Sequence, residues 1–433
     1  MKTAARKPMT VTAAASLGIG SMIGAGIFAL LGEAGAIAGN AVWLSFLLAG
    51  FIALLSGYSM ARLGARYPAA GGIVEYLVQG FGVGLFSGAL SILLYLSAMI
   101  ALALVAKTFG SYALALLPLK GGPLWVNGLA CLVIVMFVLI NLEGSRSVAA
   151  SEKLIVGLKL LVLIGFAIAG LAVARPELLS PSRYPPAQTV LFSLSITFFA
   201  YEGFRVITNT AEDMPEVEKT MPRAMLLAIL LVMLLYIAVA LAVFGNLSAA
   251  EVVKARDYAL AEAARPFFGT AGFSIIAIAA LISTASSINA NLYAVTNVTY
   301  QLAKNGELPA AFGQPIAHSR EGLLFSAVLI ILLINFLNLM EIASVGSMTI
   351  LLVHLIVHLG HLRLYRETRA SLGLILLAIA GSLLAIGFAF WYAWQNAPHI
   401  IWLVLATLIA AFSIEALLHR LTARRIQTRT PES

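Results

Sequence analysis

Apolar runs of about 20 residues, each long enough to cross a bilayer as a helix, alternate along the chain with short gaps that hold most of its charge. Twelve runs can be traced, at roughly 12–37, 41–66, 83–112, 124–142, 149–173, 188–210, 222–244, 271–303, 322–339, 342–364, 372–395 and 399–420. Hydrocarbon offers no water to backbone groups, so a spanning segment is either a helix or a strand of a closed barrel. Barrel strands read as alternating segments of about ten residues. The continuous runs instead predict an all-α integral membrane bundle of twelve transmembrane helices.

Two runs carry interruptions. The stretch "GIGSMIGAGIF" (18–28) has four glycines in eleven residues, each costing a helix roughly 0.5 to 1 kcal/mol relative to alanine. The sixth run is broken by Gly203 within "FFAYEGFRVITN" (198–209). Gly-broken segments at matching places in two halves point to the midplane site of a transporter built from inverted repeats. A helix broken there offers free N–H groups and a positive dipole end to an anion, and free carbonyls to a cation. A carboxylate and an ammonium side by side outline a zwitterionic amino acid. The same glycines also have small-x-x-x-small spacing, at Gly20 and Gly24, which serves close helix packing.

Composition agrees with the pattern. The 433 residues are 61% hydrophobic and 11% charged, where a soluble domain carries about 25% charged residues. With both termini cytoplasmic, eighteen of the 27 Lys and Arg residues fall on the inner side and seven on the outer, as the positive-inside rule requires. That asymmetry accounts for the net charge of +8, and no nucleic-acid partner is implied. The expected location is the cell membrane, inner or plasma, with residues 1–11 and 421–433 as cytoplasmic ends. Lys2, Arg6 and Lys7 precede a run with no clear cleavage site, so the first run is expected to be retained. The single cysteine, Cys131, permits no intramolecular disulfide.

Three ionisable residues do not fit into gaps: Lys159 in "KLIVGLKLLVLIGF" (153–166), and Glu202 with Arg205. At membrane depth such groups cost at least about 2.5 kcal/mol and usually face a cavity or a partner. Three residues apart, Glu202 and Arg205 either pair with one another, or Glu202 faces the cavity and selects a cationic side chain. His354, His358 and His361 lie near one helical face at metal-ligand spacing, but their segment leads into a basic loop where histidines are commonplace, and no metal is expected. No H-E-x-x-H, G-x-S-x-G or Walker-type loop occurs, which removes the machinery of intramembrane hydrolysis and ATP-driven pumping. An ion channel or an integral-membrane enzyme accounts less economically for two paired helix breaks.

"GIGSMIGAGIF" resembles the first-helix signature of the amino acid/polyamine/organocation superfamily of permeases. "YPAAGG" (67–72), "NLEGSRSVAASEKLIVGLKL" (141–160) and "LISTASSINANLYAVTNVTYQLAKNGELP" (281–309) agree with it in order. The resemblance implies a LeuT-like five-plus-five inverted repeat with broken helices 1 and 6. Its repeats would be 12–173 and 188–364, followed by two additional C-terminal helices at 372–420. It implies a secondary amino-acid transporter whose substrate carboxylate sits on the amides of Gly24, Ala25 and Gly26, beside Ile23. The ammonium would meet carbonyls of Met22, Phe199, Ala200 and Glu202, with Phe199 and Tyr201 as pocket walls or packing and Asn291 near the side chain. Lys159 matches the lysine that occupies the sodium place in proton-coupled relatives, with Gly20, Ile23, Ser283 and Ser286 as neighbours. A proton is then the coupling ion and no other cofactor is implied. Exchangers of the family also carry this lysine, so a fixed strut is the other reading of it. Glu202 and Arg205 depart from the family's usual apolar and acidic pair, which leaves a polyamine or cationic amino-acid exchanger as the alternative.

Overall fold

The computed structural model describes residues 9–69, 71–117, 121–142, 148–304 and 320–421, and only the backbone at Ala25, 148–153, 293–304, 320–321 and 421. Lys2, Arg6, Lys7, most of the expected cytoplasmic ends, and the Ala25 side chain lie outside the described residues. The described regular elements are all helical. In chain order they are α1 (Val11–Ala38), α2 (Val42–Arg66), α3 (Ile73–Phe81), α4 (Leu85–Leu116), α5 (Pro123–Leu142), α6 (Val148–Ala172), α7 (Ala187–Phe192) and α8 (Leu194–Tyr201). A 3-10 helix, Glu202–Asp213, follows. Then come α9 (Val217–Asn246), α10 (Ala249–Lys254), α11 (Ala259–Ala263), α12 (Arg265–Lys304), α13 (Arg320–Phe336), α14 (Leu339–Leu364), α15 (Leu372–Asn396) and α16 (Pro398–Leu421).

Among the described residues, ten helical stretches are long and apolar enough to cross a membrane. One of them, Gly26–Arg66, joins the second half of α1 to α2 through a single 3-10 turn, and shorter apolar helices cover Val11–Gly24 and Gly322–Phe336. Local chemistry sets the ends. Thr10 Oγ1 accepts the Ala13 N–H (3.2 Å) and opens α1, satisfying a donor with no partner inside the helix. Asn338 and Glu341 form a reciprocal capping box at the start of α14. The outward faces of α5, α13 and α16 display large apolar side chains, with Leu124 85%, Phe336 78% and Trp402 70% exposed. In a chain of this composition such faces meet lipid.

α1 sits against α8, the 3-10 helix, α9 and α12, while α4 is wrapped by α5, α12, α14 and α16. The expectation that the first span is broken is not met: α1 is one helix through the whole of 18–28. Its glycines serve close approach instead. A Cβ on Gly26 would run into the Tyr236 hydroxyl and the Ala200 carbonyl, and one on Gly203 into the backbone of Met22 and Ser21. Contacts of helix on backbone offset the entropy that glycine costs, because without a hydrophobic drive between helices in lipid, van der Waals packing holds spans together. The sixth span changes type rather than opening, from α-helix in α8 to 3-10 from Glu202 onward.

Gly203→Ala is therefore expected to lower stability by about 1–3 kcal/mol, the usual cost of overpacking, read as a drop in apparent melting temperature in detergent. Gly157→Ala, on a face of α6 with open space around it, serves as the control and should leave melting unchanged or slightly raised.

Candidate substrate and proton-coupling site

Twelve residues of 3-10 helix are long for a geometry that seldom exceeds three or four, and such a stretch in mid-helix often marks a hinge. It begins at Glu202, whose N–H bonds the Phe199 carbonyl. Two residues earlier, the Ala200 carbonyl faces Gly26 of α1. Tyr236 of α9 reaches the same spot: its hydroxyl lies 2.8 Å from the Met22 carbonyl and 3.2 Å from that of Ala200. Two of the carbonyls expected to receive a substrate ammonium are thus joined by one hydroxyl donor, and the missing Cβ of Gly26 makes the room for it.

The other expected contacts scatter. The Phe199 ring packs on Gly346 of α14. Tyr201 is fully buried and donates to the Phe46 carbonyl (2.9 Å), with its ring 5.2 Å from that of Tyr236, so of its two expected roles it takes packing. Asn291 is bonded within α12 to the Ser287 carbonyl (2.9 Å) and hydroxyl (3.1 Å), while Ser287 itself closes over Gly24.

A second cluster forms where α1, α6 and α12 meet. Lys159 is buried, 3% exposed, with Nζ 3.5 Å from Ser286 Oγ and 3.5 Å from where a Cβ on Gly24 would lie. Ser283 Oγ points at the Ile23 carbonyl (3.5 Å), and Gly20 packs on Val156, one turn before Lys159. Of the residues expected around this lysine, Ser286 lies within reach of its Nζ, while Ser283 and Ile23 meet one another and Gly20 meets Val156. Asn141 ties the same region across helices, donating to Asn289 Oδ1 at 2.9 Å.

Glu202 does not face the glycine seam. Its carboxylate lies 2.6 Å from Arg205 Nε and 3.1 Å from His354 Nε2. With three residues per turn, 3-10 geometry eclipses positions i and i+3, which stacks Arg205 directly on Glu202. The bland pairing of these two residues is what the fold contains.

The burial of several polar groups departs from the sequence reading. His354, His358 and His361 are fully buried, not loop-facing. Five of their six ring nitrogens bond Ser56, Ser59 and Thr368, and the sixth, His354 Nε2, lies 3.1 Å from Glu202 without an aligned bond; among the described residues no His, Cys, Asp and Glu group is arranged to hold a metal. Their i, i+4, i+7 spacing opposite Ser56 and Ser59 was the available signal. Glu33 is also fully buried, in the half of α1 beyond the seam, 3.8 Å from Arg256 Nε. A mean-hydropathy window passes over a lone carboxylate inside an apolar run.

A family profile described as amino acid permease matches residues 9–414. The chain belongs to the amino acid permease family. It is 38% identical to the inner membrane transport protein YbaT of Escherichia coli over 93% of this chain and 95% of that one. It is 36% identical to a protein of Methanocaldococcus jannaschii over 96% and 97% of the two chains, and 30% identical to the methylthioribose transporter of Bacillus subtilis over 69% and 67%. This permease is accordingly a multi-pass membrane transporter of a small molecule and not an enzyme, and the resemblance carried by the four sequence blocks stands.

Tyr236→Phe removes the hydroxyl that joins the Met22 and Ala200 carbonyls. The expected cost is about 0.5–1.5 kcal/mol, the net worth of one hydrogen bond, measured as a lowered melting temperature. An unchanged melting curve would show that the bridge contributes nothing to the closed seam.

Proposed function

We propose that this permease is a secondary active amino-acid transporter, coupled to protons and working by alternating access, with substrate held between α1 and the sixth span. The observation that carries this reading is the Tyr236 hydroxyl shared by the carbonyls of Met22 and Ala200. A substrate ammonium is a donor of the same kind, and could take over both carbonyls once the seam parts. The amides of Gly24, Ala25 and Gly26 become available to a carboxylate only when α1 loosens there, so binding and opening are one event. A ligand that interacts better with the parted state shifts the population toward it.

Lys159 is the proposed coupling group. Its Nζ lies between Ser286 of α12 and Gly24 of α1, so a change of its protonation alters how α1 is held against α6 and α12. Glu202, already balanced by Arg205, offers little to a cationic side chain, which favours neutral zwitterions over polyamines. The same reading takes the fold as twelve spans in two inverted five-helix repeats, 12–173 and 188–364, plus two C-terminal spans. It places both termini in the cytoplasm and the protein in the cell membrane.

The test is uptake into proteoliposomes with labelled amino acids, polyamines and methylthioribose, with and without an inward proton gradient. Saturable uptake of a neutral amino acid, stimulated by the gradient in the wild type but not in Lys159→Ala, is expected. Gradient-independent uptake by the wild type would refute coupling, and failure of every amino acid would refute the substrate class. Topology is checked separately by placing Ser433→Cys in a Cys131→Ser background. An impermeant maleimide should label it only after the cell membrane is opened.

A further inference from the structure

We propose that α2 and α14 hold a proton relay running from Glu202 to the inner end of the bundle, through His354, Ser56, His358, Ser59, His361 and Thr368. The inference rests on the proton-coupled reading given above and adds a second proton path, on the α2 and α14 side of the seam and separate from Lys159, that starts at Glu202.

The contacts are consecutive. Glu202 Oε2 lies 3.1 Å from His354 Nε2. His354 Nδ1 is 3.0 Å from Ser56 Oγ, which is 3.0 Å from His358 Nε2. His358 Nδ1 is 2.9 Å from Ser59 Oγ, which is 2.8 Å from His361 Nδ1. His361 Nε2 is 2.8 Å from Thr368 Oγ1. All three imidazoles are fully buried, while Glu367 and Arg369, on either side of Thr368, are exposed. Every ring uses one nitrogen toward Glu202 and the other toward Thr368, with a serine hydroxyl between successive rings. Burial asks for a partner at each nitrogen; a single unbranched file of rings and hydroxyls, each able to accept on one side and donate on the other, is also what proton hopping uses.

Two polarities complete the chain once the Glu202–His354 junction closes into a bond. In the first, Glu202 is protonated and donates to His354 Nε2, His354 and His358 carry their protons on Nδ1, and His361 carries its own on Nε2. The Thr368 hydroxyl then accepts from His361 and donates to the Leu364 or Tyr365 carbonyl, both 3.2 Å away. In the second, Glu202 is a carboxylate, every ring has moved its proton to the other nitrogen, and Thr368 donates to His361. The first holds one proton more than the second. Passing between them breaks the O–H bond at Glu202 and forms N–H at His354 Nε2. It shifts one proton across each ring and each serine, and releases the former Thr368 hydroxyl proton to water.

The surroundings favour one gate. Neither Glu202 oxygen is aligned for a hydrogen bond, although Arg205 and His354 are both close. The Glu202–His354 junction is therefore the link that must swing, at the point where α8 gives way to 3-10 geometry. Phe198 and Phe204 hold the His354 ring edge-on, at 5.4 and 5.7 Å. The charged and titratable groups facing the relay are Arg205 on the 3-10 helix and Arg62 on α2, which donates to the Arg369 carbonyl (2.6 Å). At the exit stand Arg363, over the Phe81 ring of α3, and the Tyr67–Glu367 pair. The arginines keep the exit cationic, which disfavours retention of the released proton.

The test compares the wild type with His358→Gln, which can still bond Ser56 and Ser59 but cannot relay a proton, in proteoliposomes carrying an internal pH dye. Gradient-driven uptake and its accompanying acidification should fall by roughly 10²-fold, the low end of what a positioned proton-transfer group contributes. Substrate counterflow, which needs no net proton release, should stay within roughly twofold on the same scale. Ser59→Ala, which cuts the chain one step further on with little change of volume, should show the same split. Wild-type coupling retained in either folded variant overturns the relay, as does an equal loss of uptake and counterflow, which marks a merely structural network. A wild type that moves no protons at all instead defeats the coupled reading itself and takes the relay with it.

Discussion

The crossing of α1 over the sixth span governs the rest of the architecture. Gly203 lies on the backbone of Met22, and Gly26 leaves space for the Ala200 carbonyl and the Tyr236 hydroxyl. In lipid no hydrophobic force pushes spans together, so backbone proximity and the hydrogen bonds it allows are what hold this seam. A seam that brings backbone onto backbone is tight when closed, with side chains such as Ile207 packed against the glycines of α1. Glycine contributes contact in the closed state and conformational freedom on parting.

Around that seam, buried polar groups fall into two separate clusters. Lys159 with Ser283 and Ser286 lies on the α6 and α12 side, and Glu202 with Arg205 and the histidines lies on the α14 and α2 side. Both touch elements that meet α1, so changes of charge in either act on the same crossing. The switch from α to 3-10 geometry at Glu202 links them: it stacks Arg205 on Glu202 and turns the carboxylate toward His354 and away from the seam. Buried polar groups are expensive unless satisfied, and here the histidines of α14 find most of their partners in two serines of α2 and in Thr368.

The membrane class, the helical bundle and the family were legible in order from hydropathy, charge asymmetry and the four sequence blocks. Lys159 stood out as a charge in an apolar run, while the neighbours named for it came from the family resemblance and not from the run itself; of these, Ser286 lies within reach of its Nζ. The histidines were not. Their spacing suggested a shared face but gave no indication that the face was buried, since inward and outward faces of a spanning helix are both apolar and composition does not separate them. Glu33 was hidden for a related reason, as a single carboxylate disappears into the average of its run.

What the sequence by itself determined is where the chain enters lipid, because the cost of transferring charge and backbone is local and adds along each run. It left open whether the glycines of 18–28 break their helix or bring it close to another. That choice was decided by tertiary structure. The physical reason is that a glycine-rich helix is only weakly stable alone, and Tyr236, Ala200 and Ser287, distant in sequence, supply the contacts that keep α1 whole. The direction of Glu202 was settled in the same way, by His354 and Arg205 gathering at a turn whose pitch no periodicity in the sequence announces.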